Sequence, residues 1–143
     1  MNNLDKAKKM LVEGKYTCVL CKENEIFCSD KRGVKPLVEF FESGKNFSGF
    51  SAADKTVGAG AAHIYSLLGV KEVWANVISE DGERILTENR ICVKYETKVP
   101  YIINRKGDDR CPMEKCVQGV LDSKEAFENI KKALSDLTLS KTN

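Results

Sequence analysis

Residues 52–78 decide the fold, and their sequence is AADKTVGAGAAHIYSLLGVKEVWANVI. The first part predicts a helix from Ala52 to Leu68, because small and apolar side chains recur along one side at helical spacing. Gly69 follows as a typical C-terminal stop. The second part, from Glu72 to Ile78, is largely apolar, which is typical of a central strand covered on both faces. A helix of small residues beside such a strand indicates an α/β fold.

The segments on either side extend this pattern. The hairpin strands flank Glu23-Asn24, and Ser79 is the expected N-cap of the helix that follows the central strand. The predicted helices are Leu4 to Glu13, Val34 to Ser43, Ser79 to Asn89, Met113 to Leu121 and Lys124 to Leu137, and the predicted strands are Tyr16 to Lys22, Glu25 to Ser29, Ile91 to Tyr95 and Tyr101 to Ile103.

This order of elements predicts a three-layer α/β/α sandwich with a mixed sheet. The first two strands pair antiparallel, and the helical crossovers imply parallel, right-handed connections elsewhere. Neither an internal repeat nor a linker interrupts the chain. We therefore expect a single domain over residues 1–143, with residues 1–3 and 138–143 frayed.

Composition excludes several classes of protein. The 143 residues carry 23 basic and 21 acidic side chains, a formal net charge of +2, which argues against dedicated nucleic-acid binding. No apolar run reaches the length of a membrane span, and the first residues contain no apolar leader. We expect a cytoplasmic protein that does not act at a membrane.

The six cysteines are expected to be free thiols, as a reducing compartment favours. Cys18 and Cys21 form a C-x-x-C pattern but lie three positions apart in a predicted strand, so they point to opposite faces and cannot share a metal. The single histidine, His63, lies mid-helix and is interpreted as a packing or surface residue. A Ser-His-Asp or Cys-His triad is therefore not expected.

In an open α/β sheet, ligands gather at the carboxyl ends of strands and at helix N-termini. Three segments with polar residues are predicted to meet there. They start at Ser51, at Ser79 and at Asn104, and their expected ligand-binding residues are Ser51, Ser79, Asp81, Asn104, Arg105 and Arg110. The two arginines suit a phosphate or a carboxylate.

Four residues are candidates for catalysis. Asp54 and Lys55 open the predicted helix from Ala52, where Lys55 suits an anion site or a nucleophile and Asp54 a general acid or base. Cys111 precedes a predicted helix start, a position that tends to activate a thiol, and Glu114 follows as a second proton-transfer group. The alternatives are ordinary helix capping for Asp54 and Lys55 and a structural thiol for Cys111.

Two motifs carry a family resemblance. The run AADKTVGAGAA at residues 52–62, together with VPYIINR at 99–105 and CPMEK at 111–115, resembles the signature of the prokaryotic DUF1893 family. The resemblance covers the chain from about Lys15 to Leu134. It implies a cytidine-deaminase-like fold, with a mixed sheet between layers of helices.

The zinc chemistry of deaminases is not expected here. Those enzymes use His/Cys-x-Glu at one helix start and Pro-Cys-x-x-Cys at the next. The helices predicted from Ala52 and Ser79 begin with neither ligand, and Cys111-Pro112 has the reverse order of the motif. Only Cys111 and Asp54 remain as candidates for the three protein ligands that zinc needs, so no cofactor is expected.

Three hypotheses for function follow. The first is a pocket at helix N-termini for a small anionic or nucleotide-like ligand. The second is a metal-free enzyme with Cys111 or Lys55 as nucleophile. The third is a non-catalytic interaction module or homodimer, in which aromatic side chains form a partner surface; the alternative for the same rings is packing in the core. The side chains concerned are Phe40, Phe41, Phe47 and Phe50.

Overall fold

The fold is taken from a computed structural model that describes residues 1–104 and 106–142, with side chains to residue 137. Arg105 and Asn143 lie outside the described residues. The helices are α1 (Asn3–Gly14), α2 (Lys35–Glu42), α3 (Ala59–Leu68), α4 (Glu80–Glu88), α5 (Pro112–Lys115) and α6 (Ser123–Thr142), and the strands are β1 (Cys18–Lys22), β2 (Glu25–Ser29), β3 (Ser51–Val57), β4 (Glu72–Ser79) and β5 (Cys92–Val99).

The five strands form one mixed sheet in the order β2-β1-β3-β4-β5. The strands β2, β1 and β3 pair antiparallel, whereas β3, β4 and β5 are parallel. The ladder is interrupted at the same level in both parallel pairs, at Lys55–Asn76 and at Asn76–Glu96. The predicted hairpin and the predicted mixed sheet are confirmed.

Helices cover both faces of the sheet, as expected for three layers. On one face, α1 packs Leu4, Ala7 and Leu11 against Ala53 and Trp74 of the sheet. The larger core lies on the other face, where α2, α3, α4 and α6 pack together. This arrangement confirms the predicted sandwich and makes β3 a strand with helices on both sides.

The prediction of one helix from Ala52 to Leu68 is wrong in its first third. Ser51–Val57 forms the strand β3, and the helix α3 begins only after Gly58. The alanines here are small because helices press on both faces of β3, and Ala52 and Ala53 are fully buried. Pairing with β1 and β4 therefore outweighs the high helix propensity of alanine.

Four other predicted elements change. The strand predicted to end at Tyr95 continues to Val99, and the one predicted at Tyr101 is only an isolated bridge between Ile103 and Arg110. The helix predicted from Met113 to Leu121 is the single turn α5, and Gly119 beyond it takes a left-handed backbone with φ 77°. The last helix runs on to Thr142.

Core positions settle several interpretations of single residues. Cys18 packs in the larger core and Cys21 in the core under α1, which confirms that the two thiols face opposite sides of the sheet. His63 is buried, and its Nδ1 lies 3.0 Å from the Ser123 hydroxyl, so it is a packing residue.

Among the described helices, none combines the length and the apolar character that crossing a membrane requires.

The phenylalanines considered for a partner surface belong to the core, as the alternative of core packing predicted. Phe47 and Phe50 are almost fully buried. The ring of Phe47 packs edge-on against Phe27, Phe40 and Phe50. Phe41 is partly exposed, but its ring packs against Phe127 of α6. Core packing therefore accounts for these rings, and a homodimer stays a prediction.

Candidate functional site

A cavity of about 430 Å³ opens at the carboxyl end of β3, against the first turn of α3. Its walls come from β3 and α3, from the loop before α2 and from the segment that leads into α5. The residues that line it are Thr17, Arg32, Gly33, Val34, Lys55, Thr56, Gly58, Gly60, Ala61, Ile102, Ile103, Cys111, Met113 and Glu114.

Two glycines allow the α5 segment to lie directly on the start of α3. A Cβ atom at Gly58 would stand 2.9 Å from Cγ of Glu114, and one at Gly60 would stand 2.8 Å from the carbonyl oxygen of Met113. Real Cβ atoms essentially never come so close to another atom. The sequence Gly58-Ala59-Gly60 is therefore explained by this close approach, which also shapes the floor of the cavity.

The rim of the cavity is basic. Arg32 and Lys55 are both exposed, and neither forms an ion pair with any residue that the structure describes. The N-terminus of α3 adds a partial positive charge, and Gly58 as its N-cap has no side chain to bond the first amides. These features together favour an anion.

Thr17 links the backbone segments that carry the two basic residues of the rim. Its hydroxyl donates to the carbonyl oxygen of Lys31 at 2.6 Å, which fixes the loop that carries Arg32. Its own carbonyl oxygen accepts from the amide of Lys55 at 3.1 Å. The short segment before β1 therefore joins the loop to the end of β3.

Glu114 supplies the acidic group of the cavity. Its carboxylate is largely buried, and Oε1 accepts a hydrogen bond from the amide of Ile102 at 2.7 Å. Burial raises the pKa of Glu114, while the hydrogen bonds from Ile102 and from the Ser79 hydroxyl oppose that rise. Glu114 therefore holds the 102–114 segment to the end of β4 and also faces the cavity.

Asp54 lies beneath the cavity, within the core. Its Oδ2 accepts a 2.6 Å hydrogen bond from the hydroxyl of Tyr65, and its Oδ1 accepts from the amide of Thr56 at 3.1 Å. Burial raises the pKa of Asp54 to about 7, although both hydrogen bonds act to lower it. The predicted pairing of Asp54 with Lys55 at a helix start is therefore corrected: both belong to β3, and only Lys55 lines the cavity.

A chain of buried polar atoms continues from Asp54 into the core. The Sγ atom of Cys18 lies 3.3 Å from the hydroxyl oxygen of Tyr65, which already donates to Asp54. Burial raises the pKa of the Cys18 thiol and that of the Tyr65 hydroxyl well above their ordinary values. Asp54 is thus the member of this chain that titrates near neutral pH.

Three predicted ligand-binding residues have structural partners elsewhere. Ser51 lies at the amino end of β3, where its hydroxyl donates to Glu72, so it is at the opposite edge of the sheet from the cavity. Ser79 is buried as the N-cap of α4 and accepts from the amide of Gly82 at 3.0 Å. Asp81 forms an exposed ion pair with Arg84.

The polar loop before α5 also differs from the prediction. Oδ1 of Asn104 accepts from the amides of Gly107 and Asp108, at 2.8 and 3.2 Å, so this side chain shapes the loop itself. The guanidinium of Arg110 lies over the ring of Tyr101, 4.6 Å from its centroid. Neither residue lines the cavity, and Arg105 lies outside the described residues.

The structure thus places Lys55, Cys111 and Glu114, three of the four candidate catalytic residues, around one cavity. Sequence reasoning missed Arg32, because nothing in the sequence distinguishes this loop arginine from other surface cations. It also missed Thr56 and Gly58, because both were interpreted as parts of a helix. Both residues would have been candidates if residues 51–57 had been predicted as the strand β3.

A second cavity, of about 400 Å³, lies beside β2 and is lined by Tyr16, Cys28, Asp30, Lys31 and Glu39 among others. Lys31 forms a 3.6 Å ion pair with Glu39, and Asp30 adds a further acid. Its basic group is therefore balanced, and this cavity favours an anion less than the one at α3.

The residues present do not fit a zinc-deaminase centre. The helices α3 and α4, which correspond to the helices predicted from Ala52 and Ser79, begin at Ala59 and Glu80, where neither a histidine nor a cysteine stands. Across residues 1–104 and 106–142, no three His, Cys, Asp or Glu side chains are grouped so that they would hold a metal ion. We derive no step through zinc.

Comparisons with known proteins place the chain in a family. No curated protein matches it. A DUF1893 family protein from Thermotoga maritima is 30% identical and superposes with a TM-score of 0.83, over 94% of this chain and 90% of its own. A dCMP deaminase from the cyanophage S-TIM5 is 16% identical, with a TM-score of 0.43, over 68% of this chain and 94% of its own. The model of the domain of unknown function DUF1893 matches residues 6–134, and the chain therefore belongs to the DUF1893 family.

Proposed function

We propose that this protein binds a small anionic ligand, of nucleotide-like size, in the cavity at the N-terminus of α3. The observation that carries the proposal is the pair of exposed cations, Arg32 and Lys55, which have no ion-pair partner among the described side chains. Both line the cavity next to the uncapped first turn of α3. Helix N-terminal amides beside cationic side chains are a common arrangement for phosphate and carboxylate groups.

The size and the walls of the cavity support the nucleotide-like class. A volume of about 430 Å³ lies within the usual range for small-molecule sites. Val34, Ile102 and Met113 supply apolar walls for a ring, while Thr56 and Glu114 supply polar groups that would orient it. An anion at the basic rim and a ring against the apolar wall would occupy the cavity together.

The alternative of a metal-free enzyme has weaker support. A nucleophile needs an adjacent base or a desolvated position. Within the described part of the chain, no hydrogen bond joins the Cys111 thiol to a base, and Lys55 is exposed rather than desolvated. The only support for an enzyme among the described residues is that Cys111 and Glu114 line the same cavity.

The proposal predicts that loss of either basic residue weakens anion binding. In Lys55→Gln and in Arg32→Gln, we expect the affinity for a nucleoside monophosphate to fall about tenfold, because each variant removes one charge-assisted hydrogen bond. Titration calorimetry with the four common ribonucleoside monophosphates measures this change. Lys9→Gln, on the exposed side of α1, is the matched control and should bind as the unaltered protein does. Equal affinity in all four proteins would overturn the proposal.

A further inference from the structure

The carboxylate of Asp54 connects the two elements that form the anion site. Through Oδ1 it holds the amide of Thr56, which lines the cavity, and through Oδ2 it holds Tyr65 of α3. Gly58 and the first turn of α3 lie between these two contacts. Any change in the charge of Asp54 is therefore made one hydrogen bond away from a residue that lines the cavity.

We infer that Asp54 is a proton-linked regulator of the cavity, so that protonation of its carboxyl group strengthens anion binding and ionisation weakens it. The inference rests on the proposed function. Its physical basis is Coulomb repulsion: an ionised carboxylate in the core, poorly screened by water, opposes a second negative charge in the cavity that its neighbour Thr56 lines. By reciprocity, a bound anion makes Asp54 hold its proton more tightly.

Among the ionisable side chains that contact one another here, Asp54 is the one that changes its charge near neutral pH. It is faced by Cys18 from β1 and by Tyr65 from α3, and burial keeps both of these protonated at neutral pH. Its partner in register on β4 is Ala75, which carries no charge, and on its own strand Lys55 bonds to it only through the backbone. Burial raises the pKa of Asp54 itself to about 7, within the physiological range.

Glu114 is the second acid near the cavity, and burial also raises its pKa. It contacts the cavity from the opposite wall, through the segment that ends in α5. A pH effect on binding must therefore be assigned to one acid or the other by experiment, with one conservative variant for each.

The test uses sulfate, which stays a dianion across the pH range, so that the probe itself does not titrate. Calorimetric affinity of the full chain for sulfate is measured from pH 5.5 to 8.5 in the unaltered protein, Asp54→Asn and Glu114→Gln. We expect the affinity to fall about tenfold with rising pH in the unaltered protein and in Glu114→Gln. In Asp54→Asn the affinity should stay level.

A second variant keeps the inference testable if Asp54→Asn folds poorly. The Tyr65 hydrogen bond lowers the pKa of Asp54, so Tyr65→Phe should move the fall in affinity to higher pH without abolishing it. A level affinity in the unaltered protein, or an equal fall in Asp54→Asn, would overturn the inference while leaving the proposed function intact. Absence of sulfate and nucleotide binding at every pH would overturn both.

Discussion

Replacement of Gly60 by alanine is expected to lower the free energy of unfolding by about 2 kcal/mol, although alanine is the better helix former. The added Cβ would stand 2.8 Å from the carbonyl oxygen of Met113 and 3.3 Å from its Cβ. The first of these is a backbone atom, so the α5 segment as a whole must move away from α3. In a chain of 143 residues, such a loss lowers Tm by roughly 5–8 °C.

The measurement is thermal and urea unfolding of Gly60→Ala, with Ser66→Ala as the control in the same helix. The Ser66 hydroxyl bonds back to the carbonyl oxygen of Ala62 and is not needed for packing between helices, so this variant should change stability by less than about 0.5 kcal/mol. If Gly60→Ala is as stable as the unaltered protein or more stable, α5 does not pack on α3 as described.

Substitution of Asp54 by asparagine is expected to remove a loss of stability that the unaltered protein shows between pH 4 and pH 8. The folded protein binds the Asp54 proton with a pKa of about 7, against 3.8 in the unfolded chain. Between these values the folded state holds more protons than the unfolded state, so its stability falls as pH rises. Well below pH 3.8 the carboxyl is protonated in both states, and its favourable contribution is complete.

The size of this effect is roughly 2–4 kcal/mol between pH 4 and pH 8, as the shift in pKa implies. Urea unfolding at pH intervals across that range measures it, in the unaltered protein and in Asp54→Asn. Asp5→Asn, at an exposed position of α1, is the control and should keep the full pH dependence. A slope that persists unchanged in Asp54→Asn would show that another group is responsible.

Much of the fold follows from the sequence because local signals agree with tertiary packing. Ser79 is the N-cap of α4, as predicted, and Oγ accepts from the amide of Gly82. The apolar run from Glu72 is a buried central strand, and Glu23-Asn24 separates two strands of a hairpin. At each of these places the local backbone preference of the residues agrees with their packing in the folded protein.

The strand β3 shows why the rest did not follow. Ala52 and Ala53 are small because helices press on both faces of the sheet, and small residues favour a helix when the chain is considered alone. The wrong prediction of a helix start at Ala52 placed Asp54 and Lys55 in the first turn of that helix. For the same reason, Thr56 and Gly58 were not predicted as residues of the candidate site. Only the pairing of β3 with β1 and β4 determines which of these residues line the cavity.

The central claim is that an anion binds at the first turn of α3, and the most direct test is to observe the amides of that turn. The full chain, labelled with ¹⁵N, is titrated with adenosine monophosphate while its backbone amide resonances are recorded. We predict that the amide resonances of Gly58, Gly60 and Ala61 shift until they saturate, and that these shifts are lost in Lys55→Gln. Amides of this turn that do not move while resonances elsewhere saturate would contradict it.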